Sequence, residues 1–402
     1  MPASVWPLRK HLSTDTMAHK PRPTRVILAV TNDLVTDQRV HRSCMALHQA
    51  GYHVTLVGRL LPESLPLQRP YRTHRMRLLF RKKAVFYAEY NLRLFLFMLF
   101  SRAHIFYAND TDTLPAAFLA ARLSGRKLFF DAHEMFPEVP ELASRPRIKA
   151  VWTSIENLLI PRVDGAVTVC RSIADIYSQR YHIHMDVVRN VPLRDAEAPA
   201  PSHPLPAHGR KVLLYQGAVN LGRGIEPMIA AMHYLPDCLF VIAGIGDKYR
   251  ELQAEVQRRQ LSDRILFLGR LPLEELRSVT AQAHLGISFL ENLGLNYYYS
   301  LPNRIADFVQ ARVPVIATDF PEIRSVVQQY QIGTLVPPEV TALQSYQPEQ
   351  LADIIRSTLA HWDSVDALAK EQIFHRAAAQ LSWQHDSAVL LASVAAIRGP
   401  RH

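Results

Sequence analysis

The run Ser-Leu-Pro-Asn-Arg-Ile-Ala-Asp (300–307) carries groups suited to holding a ligand. Pro302 suits the first turn of a helix, so the backbone N–H groups around Leu301 to Arg304 have no partner inside that helix and face out from its start. Arg304 adds a fixed cation. Asp307 lies one turn later, on the side of Asn303 and Arg304, where its carboxylate offers acceptors to vicinal hydroxyls. An anion at a helix start with a diol one turn in is the layout of a nucleoside diphosphate. A second candidate is Tyr-Gln-Gly-Ala-Val-Asn-Leu-Gly-Arg-Gly-Ile (215–225). There Gly217 lets backbone approach a ligand, and Arg223 with Gly224 sets a cation beside a helix N-terminus. Ala-Gly-Ile-Gly (243–246) repeats the turn without a third spaced glycine, so no dinucleotide fingerprint forms and Gly244 and Gly246 count as turn residues.

Such groups need rigid supports, and the chain alternates short apolar strands with longer amphipathic runs, the signature of parallel α/β sheets. Strands are predicted over 25–30, 53–59, 104–110, 127–134, 165–170 and 185–190, with helices between them, for example over 38–49 and 113–124. Residues 192–210, with five prolines, break the pattern and are predicted to be a linker. A second series follows over 211–217, 239–244, 265–269, 285–290, 313–319 and 333–337. The expected fold is therefore α/β, with two doubly wound, Rossmann-like domains facing a central cleft at the carboxyl ends of their strands.

The 402 residues, 48% hydrophobic and 20% charged, exceed one ordinary domain. Cys44, Cys170 and Cys238 are too widely spaced for a disulfide framework or a Cys-pair metal site, which fits a reducing cytoplasm. The first 23 residues have no apolar core of a secretory signal and are expected to be a disordered tail, with Met17 an alternative start. The net charge of +10 favours an anionic partner. Charge concentrates in 69–83, directly before the apolar, aromatic run 84–100. That run contains Glu89, Asn91 and Arg93 and sits at the lower length limit for a bilayer span. It reads either as an interfacial segment on anionic lipid or as a buried interdomain helix with a solvated basic loop. Base-stacking motifs interleaved with cations are missing, so nucleic acid is not expected as a partner.

Taken in order, 31–42, 131–142, 161–177, 189–192, 215–229, 267–276 and Leu-Gly-Leu-Asn-Tyr-Tyr-Tyr-Ser-Leu-Pro-Asn-Arg-Ile-Ala-Asp (293–307) resemble the family 4 (group 1) glycosyltransferases of the GT-B fold over about residues 24–395. The resemblance implies a nucleotide-sugar donor held by the C-terminal domain (211–380), an acceptor held by the N-terminal domain (24–191), and a final helix (381–402) returning to the first domain. It also implies retention of anomeric configuration, with the leaving phosphate taking the acceptor proton. By residue, Gly217 matches the phosphate-turn glycine, Arg223 the base that neutralises the diphosphate, and His133 the histidine near the transferred sugar. Asp307 stands where the family has a ribose-binding Glu. Tyr299 and Ala218 replace a sugar-contacting Glu and a second phosphate-binding Arg, which leaves Arg304 to supply the missing charge. Asp37, Arg39 and His41 match the loop and helix start that face the acceptor, or else cap and solvate that helix. Glu134 and Glu138 are core-edge or acceptor-facing acids.

Asp110-Thr111-Asp112 resembles a metal-binding acid pair, but it follows a first-domain strand, so capping of the next helix is expected, with no metal or other cofactor. The expected activity is retaining transfer to a glycan or lipid-linked acceptor, in the cytoplasm or peripherally on the inner face of the cell membrane. The rivals are a nucleotide-sugar epimerase of the same fold and a non-catalytic peripheral membrane binding protein.

Overall fold

The computed structural model describes residues 23–35, 37–194 and 203–398. The expected tail up to Arg22, Thr36, and 195–202 of the expected linker lie outside the described residues.

Two wholly parallel sheets form. The first runs β1 (Arg25–Asp33), β2 (His53–Leu60), β3 (Arg72–Arg77), β4 (Ile105–Asn109), β5 (Lys127–Ala132), β6 (Gly165–Thr168) and β7 (Asp186–Val187), in spatial order 3-2-1-4-5-6-7. The second runs β8 (Lys211–Gln216), β9 (Cys238–Ala243), β10 (Ile265–Gly269), β11 (Leu285–Ser288), β12 (Val315–Thr318) and β13 (Gly333–Val336), in order 10-9-8-11-12-13. The period-2 alternation of side chains serves both faces of each sheet. Val26, Leu28 and Val30 enter one apolar cluster while Ile27 and Ala29 enter the other. Val212 and Leu214 part in the same way from Leu213 and Tyr215. Strand order reverses between β1 and β4 and between β8 and β11, which opens a crevice at the carboxyl ends of those strands.

β3 was not expected, because Arg-Thr-His-Arg-Met-Arg buries only Met76 and shows no apolar alternation. It survives as an edge strand, where charged side chains remain in water and block further pairing. Helix α1 (Gln38–Gln49) presents Val40, Cys44 and Leu47 to the core, and helix α3 (Leu114–Ser124) ends at Gly125 with φ +62°. Between them in sequence lies helix α2 (Lys83–Leu99), which buries Phe86, Tyr90, Leu94 and Met98. Asn91 donates from Nδ2 to the Asp112 carbonyl at 2.8 Å and accepts the Ala116 N–H at 3.1 Å, so α2 caps α3 from the side. The segment 84–100 is thus half-buried inside the first domain, not a buried interdomain helix. Among the described residues no helix is long and apolar enough to cross a membrane.

The helix Trp383–Ala396 sends Trp383, Leu390 and Val394 into the cluster that holds Val26 and Leu28. Its Asp386, 1% exposed, pairs with Arg189 at 2.6 Å and also accepts the Arg189 backbone N–H at 2.6 Å.

Candidate functional site

Between the two sheets lies a cavity of about 670 Å³, walled by Asn32, Asp37, His133 and Glu134 on one side and by Gly217, Arg223, Asn303, Arg304 and Asp307 on the other. The helix Asn303–Gln310 positions three of these. It buries Ile305, Phe308 and Val309, and that face leaves Asn303 and Asp307 at the crevice. Pro302 is the residue before the first helical turn, with φ −63°.

Arg223 and Arg304 form the most unusual part of this wall. Arg304 is 7% exposed and its guanidinium carbon lies 4.4 Å from the centre of the Tyr215 ring, while that of Arg223 lies 4.6 Å from the centre of Tyr297. Among the described residues neither forms an ion pair, and Arg304 Nη1 and Arg223 Nε are buried without a hydrogen-bond partner. Burial, together with the neighbouring Arg223 charge, lowers the pKa of Arg304. A buried cation and a half-buried one, held by aromatic faces and by no carboxylate, are costly unless an anion joins them.

Gly217 closes over Arg304, since a Cβ there would lie 3.5 Å from Nη2. The turn is tight because the loop after β9 packs beneath it, where a Cβ on Gly244 would sit 1.8 Å from the Gly217 carbonyl oxygen. Gly224 does not line the cavity. With φ +65° it starts the next helix, and a Cβ would meet Phe289 Cβ at 2.3 Å, so its role is backbone and packing. Asp307 Oδ2 accepts from Gln216 Nε2 at 3.1 Å, and Gln216 Oε1 accepts from Thr280 Oγ1 at 2.7 Å. Burial pushes the Asp307 carboxyl up to about 6, against the pull of Gln216 and of Arg42, Arg277 and Arg304.

Across the crevice, His133 follows β5. Its backbone N–H donates to Asp110 Oδ1 at 2.7 Å, its Nδ1 lies 3.3 Å from Asp110 Oδ2, and its Nε2 lies 3.5 Å from Asp131 Oδ2. Burial opposes protonation of the ring, but Asp110 and Asp131 outweigh it and push the His133 pKa up to about 9. Burial likewise opposes the Asp131 charge, and Arg39 with His133 overcomes it, holding that carboxyl well below the usual range. The Asp131 carboxylate favours the cationic imidazole, while burial pushes the neighbouring Asp110 carboxyl itself up to about 8.

The acid pair after β4 is not a cap. The helix begins after Thr113 with no side-chain cap bond, Asp112 accepts from Thr31 Oγ1 at 2.5 Å, and Asp110 holds His133. Among the described residues no group of three or more His, Cys, Asp or Glu is placed to hold a metal ion.

The acceptor-side trio divides. Asp37 lines the cavity and caps α1, taking the Val40 N–H at 3.1 Å and the Asn32 amide at 3.2 Å. Arg39 reaches the wall but is committed, at 4% exposure, to Asp131 at 2.6 Å and to the Val188 carbonyl at 2.8 Å, so it braces the histidine platform. His41 lies outside the wall, 2.8 Å from the Tyr71 hydroxyl, and burial with Arg69 and Arg42 nearby pushes its pKa down to about 4. Glu138 pairs with Lys149 at 2.7 Å, and Tyr299 gives its carbonyl to the Cys170 thiol at 3.1 Å.

Several residues in or behind the wall carried no signal of their own in the sequence. Asn296 spans the crevice, accepting the Met135 N–H at 3.1 Å and donating to Glu134 at 3.2 Å. Arg42 stacks on Trp383, bonds Asn190 and acts electrostatically on Asp307. Tyr215 and Tyr297 flank the two phosphate-type motifs, and only the side-by-side placement of those motifs reveals them as supports for the cations.

Two sequence families match this chain: Glycosyl transferases group 1 over residues 201–372, and Glycosyltransferase Family 4 over residues 37–192. Among curated proteins, alpha-D-kanosaminyltransferase of Streptomyces kanamyceticus is 29% identical over 150 residues, 36% of this chain and 37% of that protein. The gpi3 subunit of phosphatidylinositol N-acetylglucosaminyltransferase from Schizosaccharomyces pombe is 23% identical over 277 residues, 66% of this chain and 55% of that protein. The matched region therefore spans about half or less of these relatives. Among solved structures, Anabaena HepE in complex with UDP-glucose superposes with a TM-score of 0.71 at 13% identity, covering 92% of this chain and 99% of that one.

Proposed function

The chain belongs to the group 1, family 4 glycosyltransferases of the GT-B fold, and on that premise we propose that it moves a sugar from a nucleotide-diphosphate sugar to a glycan or lipid-linked acceptor, with retention and without a metal ion. One observation carries this reading: the uncompensated pair of half-buried Arg223 and buried Arg304 beside Asp307 and opposite a cationic His133. We assign the donor to 211–380 and the acceptor to 24–191. The diphosphate lies against both arginines, Gly217 and the helix start at Asn303, while Asp307 accepts the ribose hydroxyls. HepE binds UDP-glucose on a similar fold, which supports a donor of this class.

As the bond between the anomeric carbon and the diphosphate breaks, negative charge grows on the leaving oxygen and positive charge on the sugar ring. Arg223, Arg304 and the helix start stabilise the former in a site already built for it, commonly the largest catalytic contribution. His133 orients the sugar through its hydroxyls. The nearby acids Asp110 and Asp131 are engaged with His133 and Arg39, which leaves them poorly suited to act as nucleophile. The new bond then forms on the face that the diphosphate leaves, and the leaving oxygen takes the acceptor hydroxyl proton. A lipid-linked acceptor and a peripheral position on the inner face of the membrane agree with the outer side of α2, where Val85, Leu92 and Leu96 are exposed beside Arg81, Lys82 and Lys83.

A thermal-shift panel of nucleotide sugars, followed by nucleoside-diphosphate release with and without acceptor and chelator, tests the proposal. Stabilisation by one donor class and chelator-resistant release that needs acceptor are expected. Turnover of the nucleotide sugar without acceptor would favour an epimerase, and a flat panel would remove the donor site.

A further inference from the structure

A second cavity, of about 450 Å³, opens at the carboxyl ends of β2 and β3, on the rim of the sheet that also supplies Asn32 and His133 to the central cleft. Its cations are Arg59, Arg77 and Arg81, and Leu78, Phe80 and Phe86 form apolar walls. Among the described residues none of these arginines is paired with a carboxylate. Arg59 lies over the Phe86 ring at 5.2 Å, and its Nε is buried without a hydrogen-bond partner.

The nearby acids are already committed. Asp33 accepts from Arg75 at 3.0 Å and from Ser64 Oγ at 2.6 Å, so a residue adjacent to Asn32 of the main cleft braces the wall of this cavity. Glu89 pairs with Arg93 at 2.7 Å and takes the Leu79 and Phe80 N–H groups at 3.0 and 2.8 Å, which fixes the lip before any ligand arrives. Uncompensated guanidinium groups in a preformed, partly apolar recess suit a phosphate oxyanion joined to a hydrocarbon. The apolar path out is open, since Leu79 is 80% and Phe80 51% exposed and both lead to the outer side of α2.

We propose that this recess is a second anion site, separate from Arg223 and Arg304, which takes the phosphate or diphosphate of an amphiphile whose chain lies along Phe80, Leu79 and α2. That this amphiphile is the sugar acceptor rests on the proposed function; the site itself does not. A membrane phospholipid and a single lipid-linked phosphate share this chemistry.

The test titrates dodecyl phosphate below its micellar concentration, inorganic phosphate, and phosphatidylcholine vesicles carrying phosphatidylglycerol into the full chain. The same titrations are run on Arg59→Gln/Arg77→Gln and on Arg81→Ser, whose exposed position keeps the test alive should the double variant fail to fold. Dodecyl phosphate is expected to bind far more tightly than inorganic phosphate. It should lose about tenfold or more in affinity in the double variant and severalfold in Arg81→Ser, with nucleoside-diphosphate binding unchanged in both. Vesicle binding that falls in step identifies a membrane headgroup as the source, and vesicle binding that persists identifies a single lipid-linked molecule; either supports the site. Dodecyl phosphate affinity equal to that of inorganic phosphate, or indifferent to all three arginines, overturns it. A chain with this arginine-dependent binding but no sugar transfer loses the proposed function and keeps the site, and the reverse result separates them in the other direction.

Discussion

In the proposed role Asp307 accepts both ribose hydroxyls as a carboxylate, and burial has lifted its pKa to about 6. Donor kcat/KM is therefore expected to fall as pH drops through about 6, and that limb should vanish in Asp307→Asn, whose amide does not titrate. At the other end, His133 loses its proton as pH rises through about 9. The raised pKa means that the stabilising pairing with Asp131, whose carboxyl stays ionised, is complete below the unfolded value near 6.5 and is lost above about 9, so both turnover and thermal stability should decline there. His133→Ala is expected to lower kcat with little change in nucleoside-diphosphate affinity, measured by calorimetry alongside turnover. Arg39→Ala tests whether that residue braces the platform: leaving buried Asp131 with only the His133 ring and the Tyr107 hydroxyl should cost up to about 3–5 kcal/mol in denaturant unfolding. An Arg39 variant of unchanged stability with impaired acceptor use would restore it as an acceptor contact. At this scale the sequence was informative where charge and helical spacing coincide, as in Asn303, Arg304 and Asp307. It could not show that Arg39 and Asp110 spend their charge on partners 92 and 23 residues away, nor that His41 turns to Tyr71, because those partners meet only after folding.

Elements were most legible where the pattern is strongest. Ile105–Asn109 is buried along its whole length, and its apolar run marked it as an interior strand of a parallel sheet. β3 escaped because an edge strand needs little burial, and three arginines in Arg72–Arg77 look like a solvated run. The basic and apolar halves of 69–100 also divide between two elements, an edge strand and a helix whose Asn91 caps α3. Asn91→Ala removes both bonds and should destabilise the chain by about 1–3 kcal/mol, through the uncapped start of α3 and the lost cross-helix contact. Gly224→Ala should cost a similar amount, since the left-handed backbone and the approach to Phe289 both resist a Cβ. Leu92→Ser/Leu96→Ser, by contrast, removes exposed apolar surface and should leave unfolding unchanged while weakening binding to anionic vesicles. Unchanged vesicle pelleting would detach the outer side of α2 from the membrane.

At the scale of the whole molecule, two sheets that never share a strand are tied by the return of Trp383–Ala396 and by contacts across the crevice. Asp386 takes three hydrogen bonds from Arg189, through its backbone N–H, Nε and Nη2, and Asn296 links both walls of the cleft. Under the proposed function these links hold the two walls at the spacing that shields the reacting carbon from water, so they serve that reaction as well as stability. The general plan was readable from two α/β series around a proline-rich break, while the pairing of particular walls was not, since it depends on how the last helix packs on the first sheet. The central claim is that Arg223 and Arg304 stand uncompensated because a donor diphosphate completes them, with Asp307 on the ribose. Nucleoside-diphosphate release from a panel of nucleotide sugars at limiting donor, measured side by side for the wild-type chain, Arg223→Ala and Asp307→Ala, tests it most directly. The account predicts release from one donor class, reduced about ten- to a hundredfold in each variant while both stay folded. Release at the wild-type rate in both variants would contradict it.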